Sequence, residues 1–253
     1  MQLALISRAV GWVESVGRKG RYLSEVALAV LDFSVWAPRA IVQMRRLGAD
    51  SVPVALYIAA FTGIVLALLA SYTMTGAVPM YFVGTFVGKA SMLELAPVLT
   101  GLALAGRVGA NIAAELGTMR VTEQVDALET LAYNPVSFLV VPRFIAGLVM
   151  FPIVIALSAA TSIVFAWMTA LQLLDLSTTD FVKGIRLFYQ FKDVWYGLVK
   201  SVSFGGAITL IGCWVGLTTR GGAEGVGRAA TNAVVYSAVV ILVLDAFWAV
   251  VLL

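Results

Sequence analysis

The chain has 253 residues, of which 61% are hydrophobic and 12% charged, with a formal net charge of +3 and a mean hydropathy of +0.97. A soluble domain carries about 25% charged residues, so a soluble globular protein is excluded, and nothing in so small a net charge points to nucleic acid. There is no histidine and only one cysteine, Cys213, so the commonest general base and metal ligand is missing and no internal disulfide can form; no catalytic residue and no metal site are expected.

The N-terminal apolar stretch is interrupted by Arg8 and no small-residue cleavage site follows it, so it does not read as a signal peptide. Leu3, Ile6, Val10 and Val13 recur at helical spacing, while Arg8, Ser15 and Arg18 lie elsewhere around the wheel. That pattern suits a helix on the membrane surface, with Lys19 and Arg21 continuing its basic flank. A second surface helix is predicted over Tyr22 to Leu47, where Arg39, Arg45 and Arg46 collect before Gly48 stops it. Residues 1–50 thus form an interfacial region and 51–253 a spanning domain.

Crossing the hydrocarbon takes about 20 mostly apolar residues. The first span is predicted from Pro53 to about Thr75, and the second between Tyr81 and Ile112, with Lys89 and Glu94 inside it. The third runs from Phe144 to about Leu171, the fourth from about Val199 to Thr219, and the fifth from about Ala230 onward. With the N-terminus inside, residues 1–52, 107–143 and 219–229 hold seven, three and two Lys and Arg residues, against five outside. The positive-inside rule therefore puts the N-terminus in the cytoplasm and the C-terminus on the far face.

Between spans two and three, Thr122 is predicted to cap a short helix that Pro135 ends. Val125, Leu128 and Ala132 share one face, and Glu123, Asp126 and Glu129 another. Helices that rest on an anionic leaflet are basic, so this acidic one suits either a groove on a protein or solvent. Gly101, Ala105, Gly106 and Gly109 are predicted to let another helix come close, helped by Ala103, Ala110 and Ala113; Gly84 with Gly88 and Gly212 with Gly216 repeat the spacing. Arg107 and Glu115 are expected to anchor the inner end of span two, with Glu115 near Arg120. "GGAEGVG" from Gly221 follows a span rather than a strand and reads as a tight turn, not a phosphate loop. On the outer side Ser177, Thr178, Thr179 and Asp180 precede Phe181, Ile185 and Phe188 in a capped amphipathic helix. Its Lys183 and Arg186, with Lys192, offer a surface for a partner or headgroups. Plain interfacial anchoring by Phe188, Tyr189, Trp195 and Tyr196 is the equally supported alternative.

A carboxylate inside a span costs roughly 2.5–3.5 kcal/mol unless it meets a partner or water. Glu94 is therefore expected to face an interior, with Lys200 as its partner, in either a structural pair or a functional one. Asp245 in the last span reads first as a structural hydrogen-bonding group. An ion-coupled carrier or channel using Glu94, Lys200 and Asp245 is the alternative function, although five spans cannot be halved into equal inverted repeats. A hydrolase lacks both histidine and a second spanning aspartate.

"ELAPVLTGLALAGRVGANIAAELGTMRVTEQVDALETLAYNP" from Glu94 and "PRFIAG" from Pro142 resemble the signature region of MlaE-type permeases of MCE (mammalian cell entry) ABC transporters. The resemblance continues in "LVKSVSFG" around Lys200, "GGAEGVGRAAT" from Gly221 and "VLDAF" around Asp245. It implies an all-α integral membrane protein with five transmembrane helices, preceded by N-terminal membrane-surface helices and carrying a short cytoplasmic coupling helix. It further implies a homodimer in the bacterial inner membrane that moves phospholipid to or from a periplasmic ring of MCE proteins. ATP and magnesium belong to a separate ATPase subunit, and this chain binds no cofactor. By the same resemblance, Glu123, Val125, Asp126, Leu128, Glu129 and Leu131 contact the ATPase, and Tyr72, Glu94 and Lys200 line the lipid cavity. Many relatives have an arginine just before the Glu-Leu-Gly-Pro turn. Here Leu93 precedes "ELAP", leaving Lys89 as a substitute cation.

Overall fold

A computed structural model describes residues 2–74, 78–174 and 176–252, with side chains for Glu14 and from Val16 onward. The described residues are helical with short connections and include no strand. In chain order the helices are α1 (Gln2–Ala29), α2 (Phe33–Leu47), α3 (Val52–Thr73), α4 (Phe82–Val121), α5 (Gln124–Thr130), α6 (Val136–Leu173), α7 (Thr178–Phe188), α8 (Phe191–Leu217) and α9 (Gly222–Leu252). Five helical segments, one of them joining α2 and α3 and the others α4, α6, α8 and α9, are long and apolar enough to cross a membrane.

The helices extend past the apolar windows that announce them. α6, α8 and α9 begin at Val136, Phe191 and Gly222, because hydrocarbon sets the apolar run whereas backbone hydrogen bonding sets the helix. The "GGAEGVG" run is accordingly only partly a turn. Gly221 and Gly222 take positive φ of 91° and 63°, and the rest forms the first turns of α9.

The N-terminal break also moves. α1 runs unbroken to Ala29 and turns at Val30–Asp32, rather than ending before Tyr22. The ion pair Arg18–Glu14 at 3.3 Å spans Gly17, and Arg21–Glu25 at 3.1 Å supports the turn after Gly20. The apolar face assigned to Leu3, Ile6, Val10 and Val13 lies outside the described side chains. Further along, Tyr22, Val26 and Ala29 are buried against the bundle. Tyr22 donates to Leu210 O at 3.3 Å and packs on Trp214 at 5.0 Å, and burial pushes its phenol well above the ordinary range, so it stays a neutral donor. α2 ends at Gly48, as its sequence indicates. Arg39 lies 3.7 Å over the Phe138 ring, and Asp32 accepts from Ser137 Oγ at 2.8 Å.

Two apolar cores stack along the bundle. The larger gathers Leu104, Val108, Ile112, Leu116, Phe151, Phe204 and Ile208 with Tyr22 and Val125. The smaller joins Leu66 and Ala70 of α3, Val83 and Val87 of α4, Ala166 and Ala170 of α6, and Phe181 of α7. Around the smaller core, an added Cβ at Gly63 would overlap the Ser162 carbonyl, one at Gly84 the Phe181 carbonyl and one at Gly184 the Tyr81 carbonyl. Helix backbones touch there as small residues allow. Of the stripe predicted on α4, Ala105 is fully buried, Gly101 faces Phe204 and Gly109 faces Ile208. Gly106 instead points outward with nothing within 4 Å, because the helix widens there into a π turn, Ala105–Gly109, which rotates the register of the stripe.

Candidate functional site

α4 carries a second π turn, Ser91–Leu95, in which Ala96 N–H donates to Ser91 O, five residues back. Pro97 follows and has no N–H for the carbonyl of Leu93, four residues earlier. A side chain from another helix fills the vacancy: Lys200 Nζ of α8 donates to Leu93 O at 3.2 Å. The same turn directs Glu94 inward, and Lys200 donates to Glu94 Oε1 at 2.8 Å.

The Lys200 side chain is 0% exposed, against 42% for Glu94 and 21% for Asp245. Asp245 Oδ1 of α9 lies 2.7 Å from Nζ as a charge contact, Tyr196 O–H donates to Glu94 Oε1 at 3.4 Å, and Nζ sits 4.3 Å over the Tyr196 ring. Lys200 thus ties α4, α8 and α9 together. Of the ammonium's three hydrogens, two go to Leu93 O and Glu94 Oε1, while Asp245 Oδ1 is met as an ion pair without a hydrogen bond, so the cation is neutralised within the cluster. Tyr196 is 3% exposed and belongs to this cluster, not to an interfacial belt. Nothing in its sequence setting separates it from its 60% exposed neighbour Trp195. Tyr72 stands apart, 81% exposed and without a hydrogen bond to any described residue. Lys89, the substitute cation, lies 3.9 Å from Asp193.

Apolar clefts flank the cluster. One of about 140 Å³ is lined by Met92, Pro97, Ile155, Ala159, Gly197 and Ser201. A wider groove of about 610 Å³ runs between α6 and α8, past Phe144, Leu148, Trp195, Val202, Leu210 and Trp248. A charged centre beside apolar grooves accommodates a molecule with a polar head and hydrocarbon chains.

At the other end, α4 stops at Val121 and α5 follows after a two-residue turn. Thr122 does not cap α5. Its hydroxyl donates back to Thr118 O at 2.8 Å, and Glu123 takes the cap position at φ 60°. Val125 is buried in the bundle's own core, so it is not free for a partner, whereas Leu128 packs against that core but stays partly exposed. The outward face is Glu123, Asp126 and Glu129 with Leu131, which is 68% exposed. Ala132 leaves α5 at φ 61° and lies on neither face of it. Arg120 pairs with Asp126, not with Glu115. Glu115 instead binds Arg143 of α6 at 2.9 Å and Arg46 of α2 at 3.3 Å. Arg143, 3% exposed, also donates to Leu139 O at 2.6 Å; the sequence reading assigned it no role. On the opposite surface Ser177 Oγ accepts from Asp180 N at 3.1 Å and caps α7, as its sequence indicates.

The family model described as "Permease MlaE" matches residues 40–251. A probable ABC transporter permease protein of Synechocystis is 39% identical over 223 residues, covering 88% of this chain and 85% of the relative. One of Rickettsia felis is 36% identical over 236 residues, covering 93% and 91%. The chloroplastic protein TRIGALACTOSYLDIACYLGLYCEROL 1 of Arabidopsis thaliana is 31% identical over 221 residues, covering 87% of this chain and 63% of its own length. With its helical, multi-pass architecture, the chain belongs to the MlaE family of ABC transporter permeases.

Proposed function

We propose that this chain is the membrane subunit of an MCE-type ABC transporter, moving phospholipid between the inner membrane and a periplasmic MCE protein while a separate cytoplasmic subunit hydrolyses ATP. The observation that carries the lipid reading is the Lys200 cluster set between apolar grooves in a chain of this permease family. An Arabidopsis relative named for a glycerolipid supports the same cargo class. The homodimer rests on the permease family; the exposed apolar faces of α3 (Tyr57, Phe61) and α9 (Val239, Val243, Phe247) suit lipid and a second copy equally. The Lys and Arg distribution supports a cytoplasmic N-terminus and a periplasmic C-terminus.

The outward acidic face of α5 is the proposed ATPase contact. From Val121 back to Glu94, α4 is one continuous helical rod about 40 Å long at 1.5 Å per residue. Closure of the ATPases against α5 moves that rod and narrows an outward cavity beside the Glu94–Lys200 pair; Tyr72, which stands apart from that pair, is assigned to the same cavity by the family resemblance. Lipid is then displaced toward the MCE ring, or accepted from it. The test is native mass spectrometry of the gently solubilised protein from its host. The expected species holds two copies of this chain, two ATPase subunits and copurifying phospholipid. A stable partner-free monomer or trimer would refute this reading and assign Glu94, Lys200 and Asp245 to an ion-coupled carrier or channel.

A further inference from the structure

We propose that the cleft between α2 and the inner half of α4 is a second binding site, separate from the Lys200 cluster, that takes the phosphate group of a membrane lipid headgroup or free phosphate. The cleft has a volume of about 340 Å³ and is lined by Gln43, Arg46, Asp50, Arg107, Asn111 and Glu115, within the roughly 300–1,000 Å³ typical of small-molecule sites. Its walls are polar, unlike those of the clefts beside Lys200.

The ion pairs in the cleft leave one guanidinium unmatched. Glu115 is already engaged on both oxygens, with Arg143 at 2.9 Å and Arg46 at 3.3 Å, and the buried Arg143 holds it there. Arg107 is half-buried and makes no hydrogen bond or ion pair with any described residue. The cleft itself is lined by two guanidinium groups, Arg46 and Arg107, and two carboxylates, Glu115 and Asp50. Glu115 is shared between Arg46 and Arg143, which lies behind the lining, so Arg107 is left without an ion-pair partner among the described residues. A guanidinium fork matches phosphate oxygens in pairs, which suits a phosphodiester with its single charge. The Asn111 and Gln43 amides add donors, Asp50 can accept from a headgroup ammonium or hydroxyl, and Val108 and Ile112 form an apolar floor. Arg107 occupies the π turn Ala105–Gly109, a distortion that recurs at functional positions. It lies about 20 Å along α4 from Glu94 at 1.5 Å per residue. The site therefore does not depend on lipid being the transported cargo, because a lipid held at rest would use the same contacts.

The test is a melting-temperature titration of the delipidated full-length chain in detergent, without nucleotide or partner, so that failure of the transport reading leaves the result standing. Dihexanoyl phosphatidylglycerol is expected to raise the melting temperature, and dihexanoyl glycerol, which lacks phosphate, is not. Arg107→Gln is expected to weaken the phosphatidylglycerol response at least tenfold, and Arg107→Lys to keep most of it. Inorganic phosphate matching the lipid at equal concentration would support the site as one for free phosphate; no response to it would support the lipid headgroup. Should Arg107→Gln fail to fold, Asn111→Ala is the second variant, with a reduced response expected. An unchanged response in the folded variant, or an equal response to dihexanoyl glycerol, overturns the proposal.

Discussion

Replacing Lys200 with Met removes the one cation between Glu94 and Asp245 and leaves Leu93 O without its donor. Removing one partner of a buried ion pair costs about 3–5 kcal/mol, because the other charge stays behind in a poorly solvated site. Glu94 is 42% exposed and relaxes toward water, whereas Asp245 at 21% does so less. The lower end, about 3 kcal/mol, is therefore expected. For a chain of this size that corresponds to a fall in melting temperature of roughly 6–12 °C. The triple variant Lys200→Met, Glu94→Gln, Asp245→Asn removes the charges together and is expected to recover most of the loss, as neutral replacement of a whole buried network often does. Thermal unfolding in detergent, followed by intrinsic tryptophan fluorescence, reads both. A Lys200→Met protein within 1 °C of wild type, or a triple variant no better than the single, would refute the claim that the cluster is held together electrostatically.

Further outcomes are expected elsewhere in the fold. Gly184→Leu places side-chain atoms on the Tyr81 carbonyl and should detach α7, seen as protease sensitivity between Leu173 and Phe191; Gly106→Ala, with nothing within 4 Å, should be neutral or gain up to about 1 kcal/mol from helix propensity. Tyr22→Phe loses the bond to Leu210 O and should cost about 1 kcal/mol, whereas Tyr22→Ala should cost about 3–5 kcal/mol and speed hydrogen exchange along α1. Ala132→Gly relieves a left-handed backbone position and should stabilise by about 1 kcal/mol, measured by chemical unfolding. Lys substitutions at Glu123 and Glu129 together should abolish ATPase copurification without lowering the melting temperature, since both side chains are exposed.

The spans and the importance of Glu94 were legible because a charge in an apolar run stands out against a hydrocarbon background. Lys200 was legible as its partner for the same reason, but the place of Asp245 in one cluster with them depends on how α8 and α9 pack, which no local pattern records. Tyr196 was misread because an aromatic near the end of a span looks the same whether it faces lipid or a buried amine. The Thr122 assignment failed because a threonine hydroxyl serves equally well to end one helix or to begin the next, and here it donates backward to Thr118. Gly63 and Gly147 carried no signal either, since the carbonyls they admit belong to helices roughly 60–100 residues away in sequence.

The order of the layers along the bundle has a mechanical consequence. Between the larger and the smaller apolar core lies a level of mostly polar contacts, where Ser91 meets Ser162 at 3.0 Å and Lys200 meets Glu94 at 2.8 Å. Within a bilayer either core can exchange an apolar neighbour for lipid at little cost, whereas the contacts at the polar level have little water to replace them and are costly to break. Slippage between the two cores is therefore resisted most at the height of Glu94, where a single amine fastens α4, α8 and α9 to one another.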